Sequence, residues 1–139
     1  MSKSEIYCNI RYYESEIASY QYQIRKLENK LFKLQSLHQK YSTLQTDFES
    51  RQSLRKRKLS SLSTNNMNVK MVRHYYGGMS DLLGGSYFNQ TYSGLDEAKS
   101  RICSSISTVQ NKIDSLQDAI SSCERTIDSL YDELNEIED

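Results

Sequence analysis

"ICSSISTVQNKIDSLQDAISSCERTIDSLYDELNEI", residues 102–137, decides the fold. Ile102, Ile106, Val109, Ile113, Leu116, Ile120, Cys123, Ile127, Leu130, Leu134 and Ile137 follow one another in alternating steps of four and three. That rhythm keeps a narrow apolar row on one side of an α-helix, which marks a coiled-coil seam rather than a broad amphipathic face. Continued backwards, the same steps meet Lys99, Leu95, Tyr92 and Phe88. The pattern predicts a helix over about 87–137, opened by Ser86 as N-cap just after Gly84-Gly85.

The N-terminal half repeats the pattern through Ile6, Ile10, Tyr13, Ile17, Tyr20, Ile24, Leu27, Leu31 and Leu34. Leu37 then follows only three residues after Leu34, and the rhythm resumes at Tyr41, Leu44 and Phe48. A skip of this kind changes the local winding of a coiled coil. His38 falls beside it and reads as a polar interruption that fixes register. "SKSE", residues 2–5, has the spacing of a capping box. A first helix is expected over about 4–62, with "SSLSTNN", residues 60–66, as its end and the start of a loop.

All five glycines lie between Met71 and Lys99, and the chain has no proline to break a helix elsewhere. Met67, Met71 and Tyr75 recur every fourth residue, so a short helix is expected to end at Gly77-Gly78 with glycine as its C-cap. Met79, Leu82 and Leu83 form a second apolar cluster before Gly84-Gly85. The connecting bend, residues 63–86, is therefore expected to hold one or two short helices rather than a bare loop.

Charge divides the chain. Residues 1–64 hold twelve Lys/Arg against six Asp/Glu, and residues 95–139 hold four against eleven. A basic helix and an acidic helix attract, whereas parallel copies of either repel. The expected fold is all-α: a long antiparallel two-helix hairpin occupying 1–139 as a single domain. A fold-back near residue 75 sets Lys26, Lys30 and Lys33 near Glu124 and Asp118, and Arg55–Lys58 near Asp96 and Glu97. In that register the first turns of the chain overhang the partner helix. Ile6, Tyr7, Ile10, Tyr12 and Tyr13 then form a surface that docks an external partner, unless these turns fray or the register differs.

Little points to chemistry. His38 and His74 are far apart in sequence and no metal-ligand spacing exists. Cys103 and Cys123, about 30 Å apart on one helix, cannot bridge, and all three cysteines including Cys8 read as small buried or half-buried fillers. "GGMSDLLGG" lacks the Gly-Lys-Ser/Thr ending and preceding strand of a phosphate loop. The run Arg55–Lys58 is answered by the acidic second half in a chain of zero formal charge, so no nucleic-acid partner is expected. No apolar run approaches the roughly 20 residues that span a bilayer, and residues 1–10 carry no signal-peptide pattern. The reading is a protein without enzyme activity, cofactor or metal, made in the cytoplasm, whose function lies in its surfaces.

Two short motifs sharpen this. Tyr75-Tyr76-Gly77 is an aromatic-x-Gly at the bend, and Tyr92-Ser93-Gly94-Leu95-Asp96 is an aromatic-x-x-x-acid. The chain resembles the WXG-type helical hairpins of type VII (Esx) secretion, with Tyr in place of the bend Trp. It is more similar still to the YwqH-like small proteins associated with LXG polymorphic toxins, through "GGMSDLLGGSYFNQTYSGLDEAKSRI". That resemblance implies a targeting partner or chaperone that binds the helical N-terminal domain of a cognate secreted toxin, with a second small helical protein as a further partner. It implies export without a cleaved signal peptide, and recognition through Tyr75, Gly77, Tyr92 and Asp96. From the residues alone, Tyr92 is equally the first residue of the seam, and Asp96 a helix-start charge that suits the dipole. Two other readings remain open: a prefoldin-like chaperone, with short strands around Val69 and Val72, and a structural coiled coil.

Overall fold

The computed structural model describes the backbone of residues 1–66 and 70–138 and the side chains of residues 1–61, 70–71 and 73–137. Three helices follow in order: α1 (Lys3–Asn66), α2 (Lys70–Gly84) and α3 (Ser86–Glu138). Among the described residues there is no strand. The predicted loop over residues 60–66 is instead the last turns of α1, which runs past the expected end at 62. Met67 and Val69, parts of two sequence patterns, lie outside the described residues, as does the side chain of Val72.

The capping box forms as its spacing predicts. Glu5 N–H donates to Ser2 Oγ at 3.2 Å, and Ser2 N–H donates to Glu5 Oε2 at 2.9 Å. Two amides that the first turn cannot satisfy internally are thereby paired.

The chain divides into two compact units. Residues 1–34 pack with 105–139, and residues 35–104 form the other. In the first unit, Ile6 and Ile10 are buried with Leu130 and Leu134, and Tyr13 and Ile127 pack against them. A second cluster joins Ile24 with Val109 and Ile113, flanked by Leu27, Leu31, Leu34, Leu116 and Ile120. The expected overhang is therefore absent: Ile6 is fully buried against α3. A fold-back at the glycines predicts the overhang, and Gly77-Gly78 lie inside α2 instead.

In the second unit the expected skip is not present. The buried side of α1 passes through His38, Tyr41, Gln45, Phe48, Gln52 and Leu59, all buried or half-buried, while Leu37 and Leu44 are exposed. From Leu34 to His38 is a step of four, so the alternation of four and three continues unbroken. Gln45 is buried, and its Oε1 accepts from Lys99 Nζ at 3.0 Å. Since a lysine only donates, this contact fixes the amide orientation. The Nε2 groups of Gln45 and of Gln52 are buried without a hydrogen-bond partner, a cost on the order of 1–3 kcal/mol each.

Gly77 and Gly78 do not end a helix either. They lie inside α2, which buries or half-buries Tyr76, Met79 and Leu83 at steps of three and four. Interior glycine costs about 1 kcal/mol against alanine, a deficit that burial of three large apolar side chains exceeds. The break comes at Gly85, where an added Cβ meets the carbonyl oxygen of Asp81; α3 starts close to the expected place, but Ser86 is its first residue rather than its N-cap, and the Gly85 carbonyl accepts from Asn89 N–H at 3.4 Å.

This distinction is testable by thermal melting. Gly77→Ala, whose Cβ meets nothing, is expected to stabilise by about 0.5–1 kcal/mol. Gly85→Ala is expected to destabilise. Loss of stability at Gly77 would mean that this position is not interior helix.

Candidate interaction site

Each residue of the two motifs has a distinct setting. Tyr75 is exposed on α2 and lines a cleft with Arg55, Lys58, Leu59, Met79 and Leu83. Gly77 is exposed in mid-helix, with no positive φ and no close neighbour. Nothing local demands glycine there for backbone reasons.

Tyr92 is anchored on α3. Phe48 of α1 stacks on Phe88 with ring centroids 5.0 Å apart and planes 11° from parallel, and Phe88 stacks on Tyr92 at 6.1 Å and 27°. Such pairs add about 0.5–1.5 kcal/mol each beyond area burial. Lys56 Nζ lies 6.0 Å from the Phe88 ring centroid, at the outer edge of cation–π range. The Glu49 carboxylate beside the Tyr92 hydroxyl, through its polar interaction and its charge, raises the tyrosine's pKa above the ordinary value; desolvation and the Asp96 charge act the same way. Asp96 itself is exposed, one turn further along α3.

The structure thus groups Tyr92 with Asp96, Glu49, Phe88 and Phe48, while Tyr75 lies with Leu59, Met79 and Leu83. Phe48 and Phe88 were legible as seam positions. Glu49 was not, since hydrogen bonding across helices leaves no periodic trace. The Gln45–Lys99 contact had one visible signal, the lysine falling on the otherwise apolar row of α3.

Of the expected docking surface, Ile6 and Ile10 are buried and Tyr13 is half-buried, so only Tyr7 and Tyr12 are exposed. Tyr12 packs edge-on against Tyr13 at 5.2 Å. The apolar part of that surface already has its partner inside the first unit. Two cysteines also depart from expectation: Cys8 and Cys103 are exposed and only Cys123 is half-buried. Both lie off the buried row, where no neighbouring helix covers them. Ile137, the last residue of the α3 row, is about half exposed.

The expected interhelical ion pairs are not seen. Lys26 sits over the Tyr22 ring at 4.7 Å and lines a groove with Lys112 rather than meeting Glu124. Glu97 pairs with Arg101 along its own helix at 2.7 Å, not with Arg55–Lys58. Exposed pairs of this type contribute little to stability. No helix among the described residues is long and apolar enough to cross a membrane. Compared with protein-family models, curated proteins and solved structures, the chain finds no match.

The Tyr92 contact carries a pH signature. A folded pKa raised above the unfolded value means that the contribution is complete below the unfolded pKa, about 10. It is lost as pH rises through the higher folded value. Denaturation midpoints taken from pH 8 upward should fall more steeply for the native chain than for Tyr92→Phe. Parallel curves would remove the Tyr92–Glu49 contact from the account.

Proposed function

We propose that this chain is a non-enzymatic helical hairpin that binds the helical N-terminal (LXG) domain of a type VII-secreted toxin, as its targeting partner or chaperone for export. The hairpin is antiparallel in this reading. It is supported by early α1 residues meeting late α3 residues, Ile6 and Ile10 with Leu130 and Leu134, and by Ile24 meeting Val109 and Ile113. The observation that carries the functional reading is the Tyr92/Asp96 pair. One member is held by ring stacking beside the Glu49 carboxylate, and the other is exposed to solvent one turn away. A rigid aromatic beside an accessible carboxylate is suited to recognition by a second protein.

A prefoldin-like chaperone is the competing reading. It calls for strands between the long helices, and residues 70–84 are helical instead. A structural coiled coil is favoured by no specific feature, and its parallel forms set like charges together.

Co-expression with the product of the adjacent reading frame tests the proposal. A stable complex with a helical toxin domain is expected. For the export step, Tyr92→Phe with Asp96→Asn is preferable to alanine at both sites, because Tyr92→Ala would also remove the ring stack. Toxin export should fall about tenfold, the loss of one or two polar contacts of roughly 1.4 kcal/mol in total, with melting temperature lowered only by the loss of the Tyr92–Glu49 contact. Absence of any complex, or full export by the double variant, would contradict the reading.

A further inference from the structure

We propose that Leu37, Leu44 and Leu54 of α1 form a docking ridge for an amphipathic helix of a partner protein whose flanking positions are acidic. Within residues 35–104, the edge of α1 beside its buried row carries Leu37, Lys40, Leu44, Arg51, Leu54 and Lys58, with Asp47 as the one acid of α1 on it; Leu37 borders a cleft with Glu97 and Arg101 of α3, and Lys58 one with Tyr75 and Met79 of α2. These positions follow steps of four and three, as a buried seam does, yet all are exposed. Leu37, Leu44 and Leu54 are 41%, 53% and 45% exposed.

Single exposed leucines are ordinary. Three on one periodic row are less so, and here they accompany an inversion of burial. His38, Gln45 and Gln52 occupy the inner row where isoleucine and leucine stand in the first unit. Two of these glutamines keep an unpaired buried amide nitrogen. The equivalent outer row between Asn9 and Lys33 carries no Leu, Ile or Val. Aliphatic residues thus move from the inside of α1 to its outside within the second unit. A self-sufficient helix pair would have the reverse arrangement.

The charges select the occupant. Lys40, Arg51 and Lys58 flank the leucines, and in helix-to-helix packing flanking charges set partner choice. A second copy docked ridge to ridge would set these bases against each other. An anionic bilayer is a poorer fit than a helix. The ridge is narrow, Asp47 interrupts it, and residues 95–139 carry eleven acidic against four basic residues. A partner helix with leucine-sized residues in a row of fours and threes and Glu or Asp beside them meets every feature. That this helix belongs to the toxin domain rests on the export reading above; the ridge does not.

The test uses the full-length chain and two fluorescent synthetic peptides with identical leucine rows, one flanked by Glu and the other by Lys. The Glu peptide is expected to bind with Kd on the order of 1–100 µM, and the Lys peptide at least about tenfold more weakly. Leu44→Glu with Leu54→Glu should weaken the Glu peptide at least about tenfold, with circular dichroism and melting unchanged because both side chains are exposed. Lys40→Glu with Arg51→Glu should reverse the preference between peptides, a readout that survives if the leucine variant misfolds. Equal affinity for the two peptides, or no binding, would overturn the proposal. So would a homodimer abolished by Leu44→Glu, which assigns the ridge to a second copy, or Leu44-dependent binding to phosphatidylserine vesicles. If the co-expressed toxin domain is retained by the Leu44/Leu54 variant, the assignment of the docked helix to the toxin fails while the export-partner reading stands, and the peptide measurements alone decide the ridge.

Discussion

Once Ile6, Ile10, Ile24, Leu31 and Leu34 occupy the inner side of α1, a continuous helix leaves no freedom about what comes next. Each residue turns by a fixed angle. His38, Gln45 and Gln52 then fall on the inner row whatever their polarity, and Leu37 and Leu44 fall one position to the side. A skip would be taken up by a local change in winding that carries Leu37 and Leu44 inward, and both are exposed while His38 and Gln45 are covered. α1 instead runs from Lys3 to Asn66 as regular helix.

That constraint shapes the energetics of the second unit. Its inner row has aromatic layers at Tyr41 and Phe48 alternating with polar layers at His38, Gln45 and Gln52. Polar layers weaken a seam and specify its register. Lys99 supplies the one cross-helix partner of Gln45, so a shift of pairing would separate them. The Phe48–Phe88–Tyr92 stack holds the same stretch of α3, with Glu49 of α1 acting on the Tyr92 hydroxyl. Tyr92 is thus part of the local packing as well as a candidate recognition residue. The ring belongs to the seam, and the turn it anchors carries the exposed Asp96.

Which features were legible follows from what encodes them. The α3 row as far as Leu134 and the capping box at Ser2 and Glu5 are local, and each appears in the structure where its spacing predicts, while the start of α3 comes one residue early, with Ser86 inside the helix. The inner row of α1 beyond Leu34 misled because leucine is more apolar than glutamine. Leu37 and Leu44 won on hydropathy, while the structure follows helical phase inherited from the preceding turns. Gly77-Gly78 misled for a related reason, since propensity favours a stop where burial of Tyr76, Met79 and Leu83 favours continuation. Pairing across helices left the weakest trace. Ile6 and Ile10 find Leu130 and Leu134, a match that periodicity alone does not specify, because every turn of an apolar row looks alike.

Thiol accessibility at adjacent positions tests the continuous phase of α1 most directly. Leu44→Cys and Gln45→Cys, each made after Cys8, Cys103 and Cys123 are replaced by serine, place one reporter on the outer edge and one on the inner row. The account predicts that the thiol at position 44 is alkylated at least about tenfold faster than the one at 45 in the folded chain, with the rates converging in denaturant. Faster reaction at position 45 would mean that the leucines are inside, that the skip exists, and that neither the polar seam nor the ridge is as described.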